Sequence, residues 1–231
     1  MSDREKSPAA GTDMTSRGNL LPAVVRRDIA DLNRLFIEYA LEPGLGSDPW
    51  FCLPPRAVAQ LATAPADARD RVAQGPFTLF ELSLPGPDDR LDWHPSAVAD
   101  AEAVHPDHVK NAEGRRAFAL VALGVARRLA EGVPMSPRIA FGVGAETESR
   151  LSKLSPSESF GAASWPGLVR PRWPRHERYW CMLAAAACGQ DPHTLRWAFS
   201  TGMCLCTRVD RAIPCAEAQT ARRKVRAVPV R

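Results

Sequence analysis

Apolar positions along this chain follow helical spacing, and the helical segments themselves recur. Leu35, Tyr39, Ala40, Phe51, Leu53, Leu61 and Pro76 fall opposite Val125, Leu129, Ala130, Phe141, Val143, Leu151 and Pro166 without a gap, at an offset of about ninety residues. A period longer than one element is the mark of a duplicated folding unit. Each copy reads as an apolar helix, a short joint ending in an aromatic, a second helix, and an apolar run after a proline.

In the first copy, Leu32, Leu35, Phe36 and Tyr39 take the i, i+3, i+4 and i+7 positions of a helix over residues 27–42, with Asp28 as a first-turn acid and Pro43 and Gly44 as the stop. The loop from Gly46 to Pro49 leads to Trp50, Phe51 and Leu53, and Pro54 and Pro55 suit the first turn of a helix carrying Val58 and Leu61. Asp67 caps a further helix to Val72, and residues 77–82, rich in aromatics, favour a short strand. The second copy places Phe118, Val121, Val125 and Leu129 on one helical face, Phe141 and Val143 at the joint, and Leu151 and Leu154 on the next helix. Its polar stretch, Ser155 to Ser159, and its run Trp165-Pro166-Gly167-Leu168-Val169 diverge most from the first.

A helix from Glu177 to Gly189 then turns Trp180, Leu183, Ala184 and Ala187 inward, and Asp191 or Thr194 caps another through Trp197 and Phe199. Leu183 precedes Phe199 by sixteen positions, as Leu35 precedes Phe51 and Val125 precedes Phe141, which suggests a third half-unit. The expected fold is mainly α: a helical bundle of two, or two and a half, repeated helix-turn-helix units with short strand-like segments. Its parts are a disordered arm (1–24), a first helical unit (25–84), an acidic linker (85–113), a second unit (114–170), a C-terminal helical pair (171–215) and a basic tail (216–231). The tail is polar, and 216–225 can become helical on a partner.

Composition narrows the function classes. No run approaches the roughly 18 to 20 apolar residues of a membrane span, and the polar residues 1–19 read as neither secretory signal nor anchor. Six cysteines without dense regular spacing argue for free thiols in a reducing compartment, by default the cytoplasm. Richness in Ala, Arg and Pro resembles a GC-rich bacterial origin. The net charge of +4 conceals an asymmetry: residues 165–231 hold twelve basic side chains against four acids, a balance of +8 that leaves −4 for the remainder. A basic third on a mildly acidic body points to a polyanionic partner, DNA first; a solubilising tail is the alternative.

The densest candidate chemistry is Arg170, Arg172, Trp173, Arg175, His176 and Arg178, where guanidinium groups alternate with aromatic and Pro residues. Arginine forks match phosphate oxygens and tryptophan stacks on bases. Arg196 stands on the helix after the Cys188-Gly189 bend, a pattern resembling a helix-turn-helix, and Arg222, Arg223 and Lys224 extend the basic set into the tail. The alternative is that these arginines line a solvated loop while Trp173 and Trp180 are core. Cys204, Cys206 and Cys215 lack the spacing of a zinc site and read as buried thiols; His94, His105 and His108 read as surface residues. Gly142-Val143-Gly144 lacks the third glycine of a phosphate cradle, and no nucleophile elbow or Walker loop is present, so neither catalysis nor a cofactor is expected.

The runs Leu32 to Ala40, Phe51 to Ala62 and Pro76 to Leu82, with Trp180-Cys181-Met182-Leu183-Ala184, Gln190-Asp191 and Phe199, resemble the flagellar master-regulator subunit FlhD and related short regulators of mobile elements. The resemblance covers a third to a half of the chain. It implies a small α-helical transcription regulator that dimerises, works with a second subunit and helps place RNA polymerase at promoters. This chain departs by carrying the unit at least twice, so a homodimer and an intrachain pseudo-dimer both stand open. A helical-repeat adaptor that contacts no nucleic acid is the competing expectation.

Overall fold

The computed structural model describes residues 21–43, 50–84, 106–132, 135–165, 167–189 and 191–209, with 106–111 and 206–209 as backbone only. The arm to residue 20, the loop at Gly46 to Pro49, the acidic linker with Asp88, His94 and His105, Pro166, and the tail with Arg222, Arg223, Lys224 and Cys215 lie outside them. The fold is mainly α: α1 (Ala23–Leu41), α2 (Pro55–Thr63), α3 (Ala66–Ala73), β1 (Phe80–Leu82), α4 (Pro106–Gly132), α5 (Ser136–Phe141), α6 (Ala145–Leu151), α7 (Pro156–Ala162), β2 (Val169–Pro171), α8 (Glu177–Cys188) and α9 (Pro192–Val209). α4 begins inside the stretch read as linker. α2 and α6 start ninety residues apart, at 55 and 145, and so do α3 and α7, at 66 and 156.

The long helices α1 and α4 pack together and run antiparallel. Arg128 near the end of α4 pairs with Asp28 near the start of α1, whereas Phe118 meets Phe36 and Tyr39 in the later half of α1, with ring centroids 6.4 and 5.9 Å apart. Asp28 is therefore in an interhelical ion pair, not the first-turn acid expected; the helix starts earlier, at Ala23 after Pro22. β1 and β2 are also antiparallel, with Phe80 opposite Pro171, Glu81 opposite Arg170 and Leu82 opposite Val169. Phe80 stands 5.0 Å from Phe118 and 5.9 Å from Phe141, and Phe51 5.4 Å from Phe118, so a ring cluster joins the two halves. Edge-to-face aromatic pairs at these separations add about 0.5–1.5 kcal/mol each beyond their buried area.

Two helical faces are rotated from the expected ones. α1 buries Ile29, Leu32, Asn33, Phe36, Ile37 and Ala40, while Leu35 is exposed. The cause is Asn33, fully buried, whose Nδ2 donates to the carbonyls of Ala73 at 3.0 Å and Phe77 at 2.9 Å while its Oδ1 accepts from Leu79 N at 2.7 Å. Those bonds tie α1 to the end of α3 and the approach to β1, satisfying groups that would otherwise be costly to bury. On α4 the inward residues are Phe118, Ala119, Ala122, Leu123, Ala126 and Leu129; Val121 faces water because the alanines allow close approach of the helices.

At the shorter helices, Pro55 opens α2 as expected, but Asp67 lies inside the first turn of α3 and binds Arg71 at 2.8 Å, the cap position being held by Pro65. The polar stretch at Ser155 is a capping box: Ser155 Oγ accepts from Glu158 N at 3.2 Å, and Glu158 Oε2 accepts from Ser155 N at 2.9 Å. α9 runs unbroken through Phe199, so the expected third half-unit has no joint there.

Candidate nucleic-acid interface

α8 buries Tyr179, Trp180, Leu183, Ala184, Ala186 and Ala187 against α2, α3 and α9. Its last turn is held from α3, where Arg71 Nε donates to the Ala187 carbonyl at 2.8 Å. Asp191 then caps α9: its carboxylate accepts from the backbone N–H of His193 and of Thr194, each at 3.1 Å, and from the Thr194 hydroxyl. The Thr194 hydroxyl, followed by those two backbone donors, holds the Asp191 carboxyl below the ordinary aspartate range.

Two close approaches set the course of α9. A Cβ on the buried Gly202 would overlap the Tyr179 hydroxyl and lie 2.8 Å from Tyr179 Cζ and 3.1 Å from Trp173 Cη2. One on Gly75 would lie 2.8 Å from the Phe199 ring. Tyr179 is nine residues before the end of α8 and Gly202 ten residues into α9. Helices crossing at 90–120° would hold residues that far from the turn about 20 Å apart at ~1.5 Å per residue. Their contact makes α8 and α9 an antiparallel αα-hairpin, which corrects the helix-turn-helix expectation.

The expected basic cluster divides between surface and core. Arg172, only 4% exposed, lies beneath the strand pair: Nη2 donates to the Ala140 carbonyl at 2.8 Å, Nε to the Phe80 carbonyl at 3.3 Å, and the guanidinium lies over Phe77 at 5.4 Å. Thr78 donates to the same Ala140 carbonyl through N at 2.9 Å and Oγ1 at 2.7 Å, so the last turn of α5 is satisfied from within the core. Trp173 is also buried, at φ 53°, with centroids 4.5 Å from Tyr179 and 5.4 Å from Phe77. Neither reaches a polyanion, because carbonyls and rings already occupy both. Arg170, Arg175, Arg178 and Arg196 are exposed; Arg170 stands opposite Glu81 in the ladder, Arg178 in the first turn of α8, and Arg196 on α9.

A further surface residue lies beside Arg196. α9 turns Ala198 and Gly202 inward, with Leu195, Phe199, Met203 and Leu205 partly buried, and sends His193, Arg196, Trp197, Ser200 and Cys204 outward. Trp197, whose side of the helix the sequence pattern leaves open, is 61% exposed. Phasing the helix on its small residues, which mark close packing, instead of on its largest apolar ones would have placed it outside. No acid occurs between Pro192 and Val209. Cys204 is exposed, against the expectation of a buried thiol, and no group of three potential metal ligands occurs among the described residues.

Among the described residues no helix is long and apolar enough to cross a membrane. No protein-family model, no curated protein and no solved structure matches the chain.

Proposed function

We propose that this chain is a bacterial transcription regulator of the FlhD-like type, a cytoplasmic protein that meets DNA at its α8–α9 end, alone or beside a second regulator subunit or RNA polymerase. The observation that carries the reading is the outward face of that end: Arg178 and Arg196 exposed, Arg175 exposed ahead of them, and an α9 without an acid. Arginines in such a setting neutralise phosphates and release counterions. The repeat supports the body we assign to it. Paired α1 and α4, paired β1 and β2, both antiparallel, and α6 and α7 starting ninety residues after α2 and α3 fit one chain forming its own pseudo-dimer.

The test is binding of the full chain to mixed genomic DNA fragments over a salt series. Each phosphate contact contributes about 0.9 to the slope of log K against log salt on duplex and about 0.7 on single strands. Arg178→Ala with Arg196→Ala should weaken binding and flatten the slope by about 1.5–2, with helicity retained. An unchanged slope would remove this end from the interface.

The adaptor reading also has an observation in its favour, an open groove of about 480 Å³ between α1 and α3 lined by Ile37, Leu41 and Ala66 together with five charged side chains, among them Arg34 and Asp70.

A further inference from the structure

We propose that Trp197, flanked by Arg196, is a stacking platform for unpaired nucleotides, so that the chain takes single-stranded or melted DNA in preference to duplex. This rests on the nucleic-acid reading above and names the form of nucleic acid the α8–α9 end takes.

The exposure of Trp197 follows from how α9 is seated. Rotating the helix to bury the indole would drive Ala198 and Gly202 out of their contacts, and Gly202 is pinned beneath Tyr179 and Trp173. The ring is therefore presented to solvent by packing elsewhere in the hairpin. Its surroundings suit a nucleotide: Arg196 is the adjacent residue, His193 and Ser200 share the outward face, and the helix carries no carboxylate to repel a phosphate. A helix that exposes both a ring and a guanidinium has the two groups a single strand needs, the ring to stack on a base and the guanidinium to meet a phosphate.

Two features argue against the other occupants. Among the described residues of α8 and α9, Trp197 is the only large apolar side chain that is exposed, so the face lacks the apolar cluster a protein interface centres on. Duplex readers insert the start of a helix into the major groove. Here α9 lies alongside α8 in an antiparallel hairpin, without the crossing by which a recognition helix is presented to the groove.

The test compares a labelled 20-nucleotide oligo(dT), a mixed-sequence strand of that length and the duplex of the mixed sequence, by fluorescence anisotropy with the full chain across a salt series. Trp197→Ala should weaken single-strand binding by roughly five- to 150-fold, the range for loss of one base–aromatic stack, and leave duplex affinity nearly unchanged. Trp197→Phe, which keeps a ring, should stay within a few-fold of the parent, whereas Trp197→Leu, which keeps apolar area without a ring, should behave like Trp197→Ala. Thermal melts of all three confirm that the fold is retained. Single-strand binding by Trp197→Ala and Trp197→Leu equal to the parent would overturn the platform while leaving phosphate contact by the arginines standing. Failure of the parent to bind strand or duplex at low salt would overturn the underlying nucleic-acid reading as well.

Discussion

Replacing Gly202 with alanine should destabilise the hairpin, although Gly→Ala in an exposed helix does the opposite. Alanine in a helix interior is favoured over glycine by about 1 kcal/mol. At Gly202 the added methyl would overlap the Tyr179 hydroxyl and lie 2.8 Å from its Cζ, with Trp173 behind at 3.1 Å. Tyr179 and Trp173 are both buried and in ring contact at 4.5 Å, so neither yields without disturbing the other. Forcing a methyl into such a site costs about 1–3 kcal/mol, so the net change runs from about zero to 2 kcal/mol of destabilisation. Urea unfolding followed by far-UV circular dichroism measures it. Tyr179→Phe removes the atom that is struck first, and the Gly202→Ala/Tyr179→Phe cycle should show about 1 kcal/mol of favourable coupling, within the usual range for residues in contact. Stabilisation of about 1 kcal/mol by Gly202→Ala, with no coupling to Tyr179, would refute the antiparallel hairpin and the outward direction of Trp197 that follows from it.

Three further outcomes test other parts of the structure. Asn33→Ala leaves the Leu79 N–H and two carbonyls without their side-chain partner and should cost about 3 kcal/mol in urea unfolding, more than Leu35→Ala on the exposed side of the same helix. Arg172→Ala should lower the melting temperature yet leave the salt slope of nucleic-acid binding as in the parent, the reverse of Arg196→Ala. The Asp191 carboxyl is depressed in the folded chain, so its stabilisation of α9 is present above the ordinary aspartate range and lost as pH falls through the lower folded value. Asp191→Ala should therefore speed amide exchange in the first turn of α9 at neutral pH, with the difference from the parent closing as pH falls through the depressed folded value.

Where burial follows apolarity, the elements were legible in the sequence. Trp180, Leu183, Ala184 and Ala187 were read as inward and are buried, and the proline pair at Pro54 and Pro55 marks the start of α2. Pattern reading failed where a polar side chain is buried and satisfied. Asn33 and Arg172 look like surface residues until the carbonyls they serve, contributed from 32 to 92 positions away, are brought beside them by the fold. The side of α9 that Trp197 takes is not legible from apolarity alone, because it is Ala198 and Gly202 that hold the packed side of the helix. The hairpin was mistaken for a helix-turn-helix because turn length says little about crossing angle, which here is set by Gly202 under Tyr179. The division of the expected basic set, with Arg170, Arg175, Arg178 and Arg196 at the surface and Arg172 and Trp173 in the core, required the tertiary contacts.

The proposed pseudo-dimer differs from a dimer of identical units in one respect that bears on recognition. In a true homodimer, any element packed on one subunit has a symmetric copy on the other, and operators come as paired half-sites. Here the two halves pair at residues that are no longer alike: the position matching Asn33 is Leu123, that matching Phe36 is Ala126, and that matching Asp70 is Phe160, which is 53% exposed. α8 packs against α2 and α3 of the first half, and α9 follows it there. A single copy of the arginine and tryptophan face is then expected per body, at one end. The chain should sediment as a monomer of 25.2 kDa, titrate with one short strand per chain, and show no preference for inverted repeats. A stable dimer in the ultracentrifuge, binding two strands cooperatively or selecting palindromic fragments, would refute the pseudo-dimer, because symmetry between chains would then be supplying what the repeat is argued to supply within one.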